Sequence, residues 1–88
     1  MIILCYVYIL ECSDNTLYTG WTVDLDNRIK RHNMGKASKY TRGRLPVKLV
    51  HHELFDNKID AQKREYQIKQ YSKKKKLALI KHASKKVI

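Results

Sequence analysis

Tyr6-Val7-Tyr8-Ile9-Leu10, then Leu17-Tyr18-Thr19-Gly20, then Arg28 and His32: the stretch from residue 6 to residue 32 decides how this chain folds. Its β-branched and aromatic content reads as two strands, with Ser13-Asp14-Asn15 as turn chemistry between them. The first strand is expected over Ile2 to Glu11, with apolar residues at both parities, as in a strand covered on both faces. The second is expected from Leu17 to Thr22. A connection of odd length turns Tyr8 and Tyr18 to the same face of the hairpin. An even one separates them.

Working outward, Asp24 is a good N-cap, and Asp26 suits the first turn of a helix ending near Met34 before Gly35. Leu25 and Ile29 form its apolar stripe, while Arg28 and His32, spaced i and i+4, border that stripe. Residues 36–45 read as a basic loop. A third strand is expected over Pro46 to Phe55. A second helix then runs from about Lys58 to Tyr71, capped by Asp56 or Asn57. Ser72 caps a third, from Lys73 to about Ala83, with Leu77 and Ile80 inward and Val87 a further candidate.

At 88 residues the chain is read as one domain, residues 1–88. Its net charge of +11 is unevenly spread. The first 27 residues carry Glu11, Asp14, Asp24 and Asp26 but no Lys or Arg, and beyond Glu65 there are bases and no acid. A one-sided positive field attracts polyanions, chiefly nucleic acid; the plainer alternative is a lysine surface kept for solubility. Cys5 and Cys12 form no metal or disulfide spacing and read as reduced thiols of a cytoplasmic protein. The apolar start is too short to span a membrane and lacks the features of a signal peptide.

Glu65 shares a helical stripe with Ala61 and Ile68. A carboxylate facing a core needs a partner, either an ion pair with Lys63, Arg64, Lys69 or Arg28, or a hard cation such as Mg²⁺. Phosphodiester hydrolysis suits the whole set. Arg28 can stabilise the phosphate charge. His32, or a tyrosine acidified by nearby cations, can take the proton from water. A metal on Glu65 can polarise the phosphate. Taken singly, the tyrosines read equally well as strand aromatics and His32 as a helix-flank residue.

Tyr6-Val7-Tyr8 followed by Tyr18-Thr19-Gly20 resembles the two motifs of the GIY-YIG nuclease family, with Arg28, His32 and Glu65 in the family's order. Lys39-Tyr40-Thr41, Pro46-Val47 and Ala61-x-x-x-Glu65 further resemble its small stand-alone bacterial members. The sequence departs from the pattern at Tyr6, Thr19 and Trp21, and no asparagine follows Glu65 as in some members. The resemblance implies an α/β (α+β) fold: a three-stranded antiparallel sheet flanked by helices. It also implies a DNA endonuclease using one divalent ion, Mg²⁺ or Mn²⁺. Carried over by position, Tyr8, Tyr18, Arg28, His32 and Glu65 are the catalytic set, and Glu65 holds the metal. The expected DNA contacts are Lys36, Lys39, Tyr40, Arg42 and Arg44 of the loop, with Lys73 and Lys74. Three functions compete: a nuclease of repair or recombination, an inactive nucleic-acid-binding module of the same fold, and a protein-interaction accessory. The intact ordered set favours the first.

Overall fold

The middle strand of the sheet is the first in sequence. In the computed structural model, which describes residues 2–85, β1 (Cys5–Glu11) lies between β2 (Leu17–Thr22) and β3 (Lys48–Phe55), antiparallel to both. α1 (Leu25–Asn33) and α2 (Lys39–Arg42) connect β2 to β3; α3 (Lys58–Lys69) and α4 (Lys73–Lys85) follow β3. β1 begins at Cys5 rather than Ile2 because its partners run out: Tyr6 pairs with Thr22, the last residue of β2, and Cys5 with Phe55, the last of β3. Ile2, Ile3 and Leu4 are left exposed.

The hairpin connection, residues 12–16, is odd in length. Asn15 adopts a left-handed φ of 66°, and Cys12 N–H donates to the Thr16 carbonyl at 2.9 Å. Leu10 therefore pairs with Tyr18, and Tyr8 with Gly20, so both tyrosines share a face. Cys5, Val7 and Ile9 take the other face and pack on Ala61 and Ile68 of α3, with Leu79 and Ile80 of α4. The tyrosine face is closed by Leu25 and Ile29 of α1, together with Leu45, Val47 and Leu49. A register shift opposite Ile9 and Leu10 leaves Val50 unpaired. That extra residue carries Leu49 to the tyrosine face while Val50 joins the other core.

The caps fall where expected: Asp24 accepts from Asn27 N–H, Asn57 from Asp60 N–H, and Ser72 from Lys75 N–H. Besides β1, four elements differ from expectation. The basic loop contains α2, a single turn capped by the Ser38 hydroxyl on Tyr40 N–H at 3.1 Å. β3 starts at Lys48, because Pro46 has no N–H and the Val47 backbone is held by the Asn33 amide. α3 ends at Lys69 rather than Tyr71. On α4 the inward stripe is Lys76, Leu79, Ile80 and Ala83, spaced i, i+3, i+4 and i+7, so Leu77 faces solvent at 45% exposure. Val87 lies outside the described residues.

Candidate active site

Tyr8 and His32 are both 1% exposed and hydrogen-bonded to each other, Tyr8 Oη to His32 Nε2 at 2.9 Å. β1 supplies the first and the last full turn of α1 the second. The other ring nitrogen, Nδ1, lies 2.8 Å from Thr41 Oγ1 of α2, and Thr41 is fully buried. Tyr18 closes the group, its ring edge-on to His32 at 5.2 Å and tilted against Tyr8 at 6.4 Å. Burial, and next the neighbouring Tyr18, push the Tyr8 phenol up to about 12 against the lowering pull of Arg28. The expectation of a tyrosine acidified by cations therefore fails at Tyr8. Desolvation outweighs the guanidinium. Burial, followed by the Arg28 charge, holds His32 below the ordinary histidine value, so near neutrality its imidazole is uncharged.

Gly20 explains how Tyr8 reaches its neighbours. β2 is an edge strand, and the Tyr8 ring lies across it at Gly20. A Cβ there would sit 2.6 Å from Tyr8 Oη, 2.7 Å from Cζ and 3.2 Å from Tyr18 Cε2. The glycine supplies room for the ring, and no unusual φ is involved. Arg28, one turn before His32, brings its charge close enough to lower the Tyr8 pKa against the effect of burial, and helps line a ≈ 210 Å³ cavity with Trp21, Thr22 and Val23. Glu65 comes from α3, which packs on the sheet's other face, yet its charge is felt at Tyr8. Of the ion-pair partners open to Glu65 from sequence, the structure selects Lys69, at 3.5 Å across one helical turn. Arg64 is committed elsewhere, to Glu53 at 2.7 Å.

The basic residues divide into two groups. Lys36, Lys39, Arg42, Lys73 and Lys74 are exposed and make no ion pair among the described residues. Arg44 is engaged in holding α2 to the hairpin: it pairs with Asp14 at 3.0 Å, donates to the Tyr40 carbonyl at 2.8 Å and lies 4.1 Å from the Tyr40 ring centroid. Tyr40, half-stacked on Tyr18 at 6.0 Å, joins this group while remaining 39% exposed. Sequence reasoning missed the parts played by Thr41 and Gly20. A small hydroxyl three residues past a Ser cap was the available signal for Thr41, and a glycine paired across from a tyrosine was the signal for Gly20. Lys58, whose ammonium lies 5.6 Å from the Trp21 ring centroid, was also missed.

Residues 4–78 match the GIY-YIG catalytic domain. The chain belongs to the GIY-YIG family. It is 61% identical over 75 residues to a UPF0213 protein of Clostridium perfringens, covering 85% of this chain and 81% of that one. A UPF0213 protein of Haloquadratum walsbyi is 55% identical over 74 residues, 84% of this chain and 83% of the relative. The solution NMR structure of a UPF0213 protein from Bacillus halodurans superposes with a TM-score of 0.59 at 50% identity, covering 89% and 83% of the two chains. An E. faecalis protein, also solved by NMR, gives 0.63 at 33% identity over 96% and 92%. The three-stranded antiparallel sheet with flanking helices is thus the GIY-YIG arrangement, and the family is one of nucleases. No helix among the described residues is long and apolar enough to cross a membrane.

Proposed function

We propose that this GIY-YIG protein is a divalent-metal-dependent DNA endonuclease. The observation that carries the reading is the buried line Thr41–His32–Tyr8, which meets Arg28 and the charge of Glu65 at the open β2 edge. Burying three polar side chains is costly unless each is satisfied, and here each hydrogen-bonds to the next.

The chemistry follows from the charges. At a pKa of about 12 the Tyr8 phenol is protonated near neutrality, so it acts as a relay rather than a standing phenolate. As water attacks phosphorus, its proton passes to the Tyr8 oxygen while Tyr8 gives its own to His32 Nε2. The bond from phosphorus to the leaving ester oxygen breaks, and that oxygen is reprotonated from solvent. The Arg28 guanidinium neutralises charge on the phosphate oxygens. Glu65 is the residue that would hold the metal. No three His, Cys, Asp or Glu side chains gather as a metal cluster among the described residues, and the donor proposed here is the Glu65 carboxylate alone. That fits Mg²⁺ or Mn²⁺, which keep several waters and share phosphate oxygens. When bound, such an ion would supply Lewis acidity for the leaving oxygen. Exposed Lys36, Lys39 and Arg42 sit on and beside α2 and suit phosphate contacts along DNA.

Supercoiled-plasmid nicking with Mg²⁺ or Mn²⁺, paired with a thermal melt, tests the site. Glu65→Gln is expected to lower cleavage by on the order of 10²-fold. The melt should barely move, because an i,i+4 pair with a half-exposed lysine is worth only about 0.3–0.5 kcal/mol. Cleavage at the wild-type rate by Glu65→Gln would overturn the nuclease site. DNA binding without cleavage by the wild-type protein would leave a binding module in its place.

A further inference from the structure

We infer that Thr41 is a positioning residue that fixes the tautomer of His32, leaving Nε2 as the bare nitrogen that faces Tyr8. Two features of the site lead there. The first starts from Thr41. Its hydroxyl has one hydrogen and lies 3.4 Å from the Ser38 carbonyl, which can only accept. With that hydrogen directed to Ser38, the Thr41 oxygen offers lone pairs to His32 Nδ1 at 2.8 Å, so Nδ1 carries the ring hydrogen. The second starts from Tyr8. Its buried hydroxyl has His32 Nε2 as its one hydrogen-bond partner among the described residues, and the nearby Arg28 guanidinium carries donors alone and cannot accept. The phenolic hydrogen therefore goes to His32 Nε2, 2.9 Å away. A neutral imidazole carries one ring hydrogen, and both features put it on Nδ1.

The rest of the surroundings agree. The groups facing His32 are Tyr8 from β1, Tyr18 from β2, Thr41 from α2 and Arg28 on its own helix, and Arg28 is the only charged one among them. A neighbouring cation and burial both disfavour a second ring hydrogen. α2 is itself firmly seated. Ser38 caps it, Arg44 ties its end to Asp14, and Ser13 N–H donates to the Arg44 carbonyl at 2.9 Å. A single helical turn with otherwise exposed basic residues has thus one fully buried side chain, and that side chain meets the histidine.

The catalytic consequence rests on the nuclease reading, whereas the tautomer does not, and the experiment separates the two. Ring ¹⁵N NMR of the wild-type protein at neutral pH should show His32 protonated at Nδ1 and bare at Nε2. Thr41→Val should move the hydrogen to Nε2 or mix the two forms, and should lower plasmid cleavage by on the order of 10²-fold. Thr41→Ser keeps the hydroxyl and should restore both the spectrum and the rate, which a purely structural role for the methyl group would not do. Wild-type His32 protonated at Nε2 overturns the inference, even if Thr41→Val does not fold. So does a Thr41→Val spectrum identical to wild type. The expected spectra without cleavage by any variant, wild type included, would uphold the tautomer and remove the nuclease reading.

Discussion

The sheet divides the molecule into two cores of opposite character. On the α3 and α4 side, Cys5, Val7 and Ile9 meet Ala61 and Ile68 in an apolar centre worth its buried area, with the His51–Glu53–Arg64 hydrogen bonds beside it. On the α1 and α2 side the comparable depth is occupied by Tyr8, His32 and Thr41, joined by directional bonds. The same central strand supplies both, through alternate residues. The difference teaches where each side's tolerance lies. The first core asks for volume; the second asks for particular atoms at particular places.

The largest test of this contrast is Gly20→Ala. The added methyl would meet the Tyr8 hydroxyl at 2.6 Å, and the phenol cannot yield without leaving His32. We expect a loss of about 1–3 kcal/mol in chemical denaturation. Cleavage should fall further than the unfolded fraction accounts for. Full activity in the folded variant would show that the tyrosine core has slack after all.

Next is Thr19→Val on the opposite side. Thr19 points into the apolar core, and its buried Oγ1 has no hydrogen-bond partner among the described residues. An isosteric methyl removes that orphan, so the melt should rise, by about 1 kcal/mol in stability, with cleavage unchanged. A fall in stability would mean that this core, too, depends on a polar contact.

The smallest effect is in pH. His32 is held below its ordinary value, so as pH drops past about 6.5 the unfolded chain takes up a proton that the folded one refuses. Stability contributed by the neutral imidazole is complete above that pH and is lost on the way down to the folded value. On the other face Glu53 is held at about 2 by its His51 hydrogen bond and next by Arg64, so its contribution is lost only between about 4.5 and 2. Urea titrations from pH 7.5 to 5.5 should therefore show a decline that His32→Gln abolishes. An undiminished decline in that variant would place its source elsewhere.

The strands, caps and ordered site residues were legible because each rests on local chemistry: β-branched runs, Asx caps, and a turn whose length sets parity. Tyr8, Tyr18, Arg28 and His32 could be brought together from that parity and one helical turn. Glu65 could be put on a core-facing stripe, but its partner could not be chosen, since several cations lie within reach along the chain. Three features stayed hidden for the same reason, that they depend on contacts between distant segments. Thr41 meets His32 only because α2 docks on the hairpin. Arg44, read as a phosphate contact, is occupied by Asp14 thirty residues earlier. Leu77 read as inward, but the face that α4 buries is the one whose Leu79 and Ile80 meet the core of Cys5, Val7 and Ile9, more than sixty residues earlier.

Asn33 holds the backbone of Val47 through both ends of its amide, accepting from N–H at 2.8 Å and donating to the carbonyl at 3.1 Å. A side chain thereby stands in for a neighbouring strand and closes residues 34–46 into a ring with its own neck. What happens to the length of that ring is uncoupled from the register of β3, because the neck, and not the ring's interior, sets where the strand begins. Entropy charges little for a longer ring, about 0.6 kcal/mol for each doubling. The stretch from Gly35 to Ala37, between the neck and the Ser38 cap, is thus a natural seam where descendants of this chain can gain residues without disturbing the sheet.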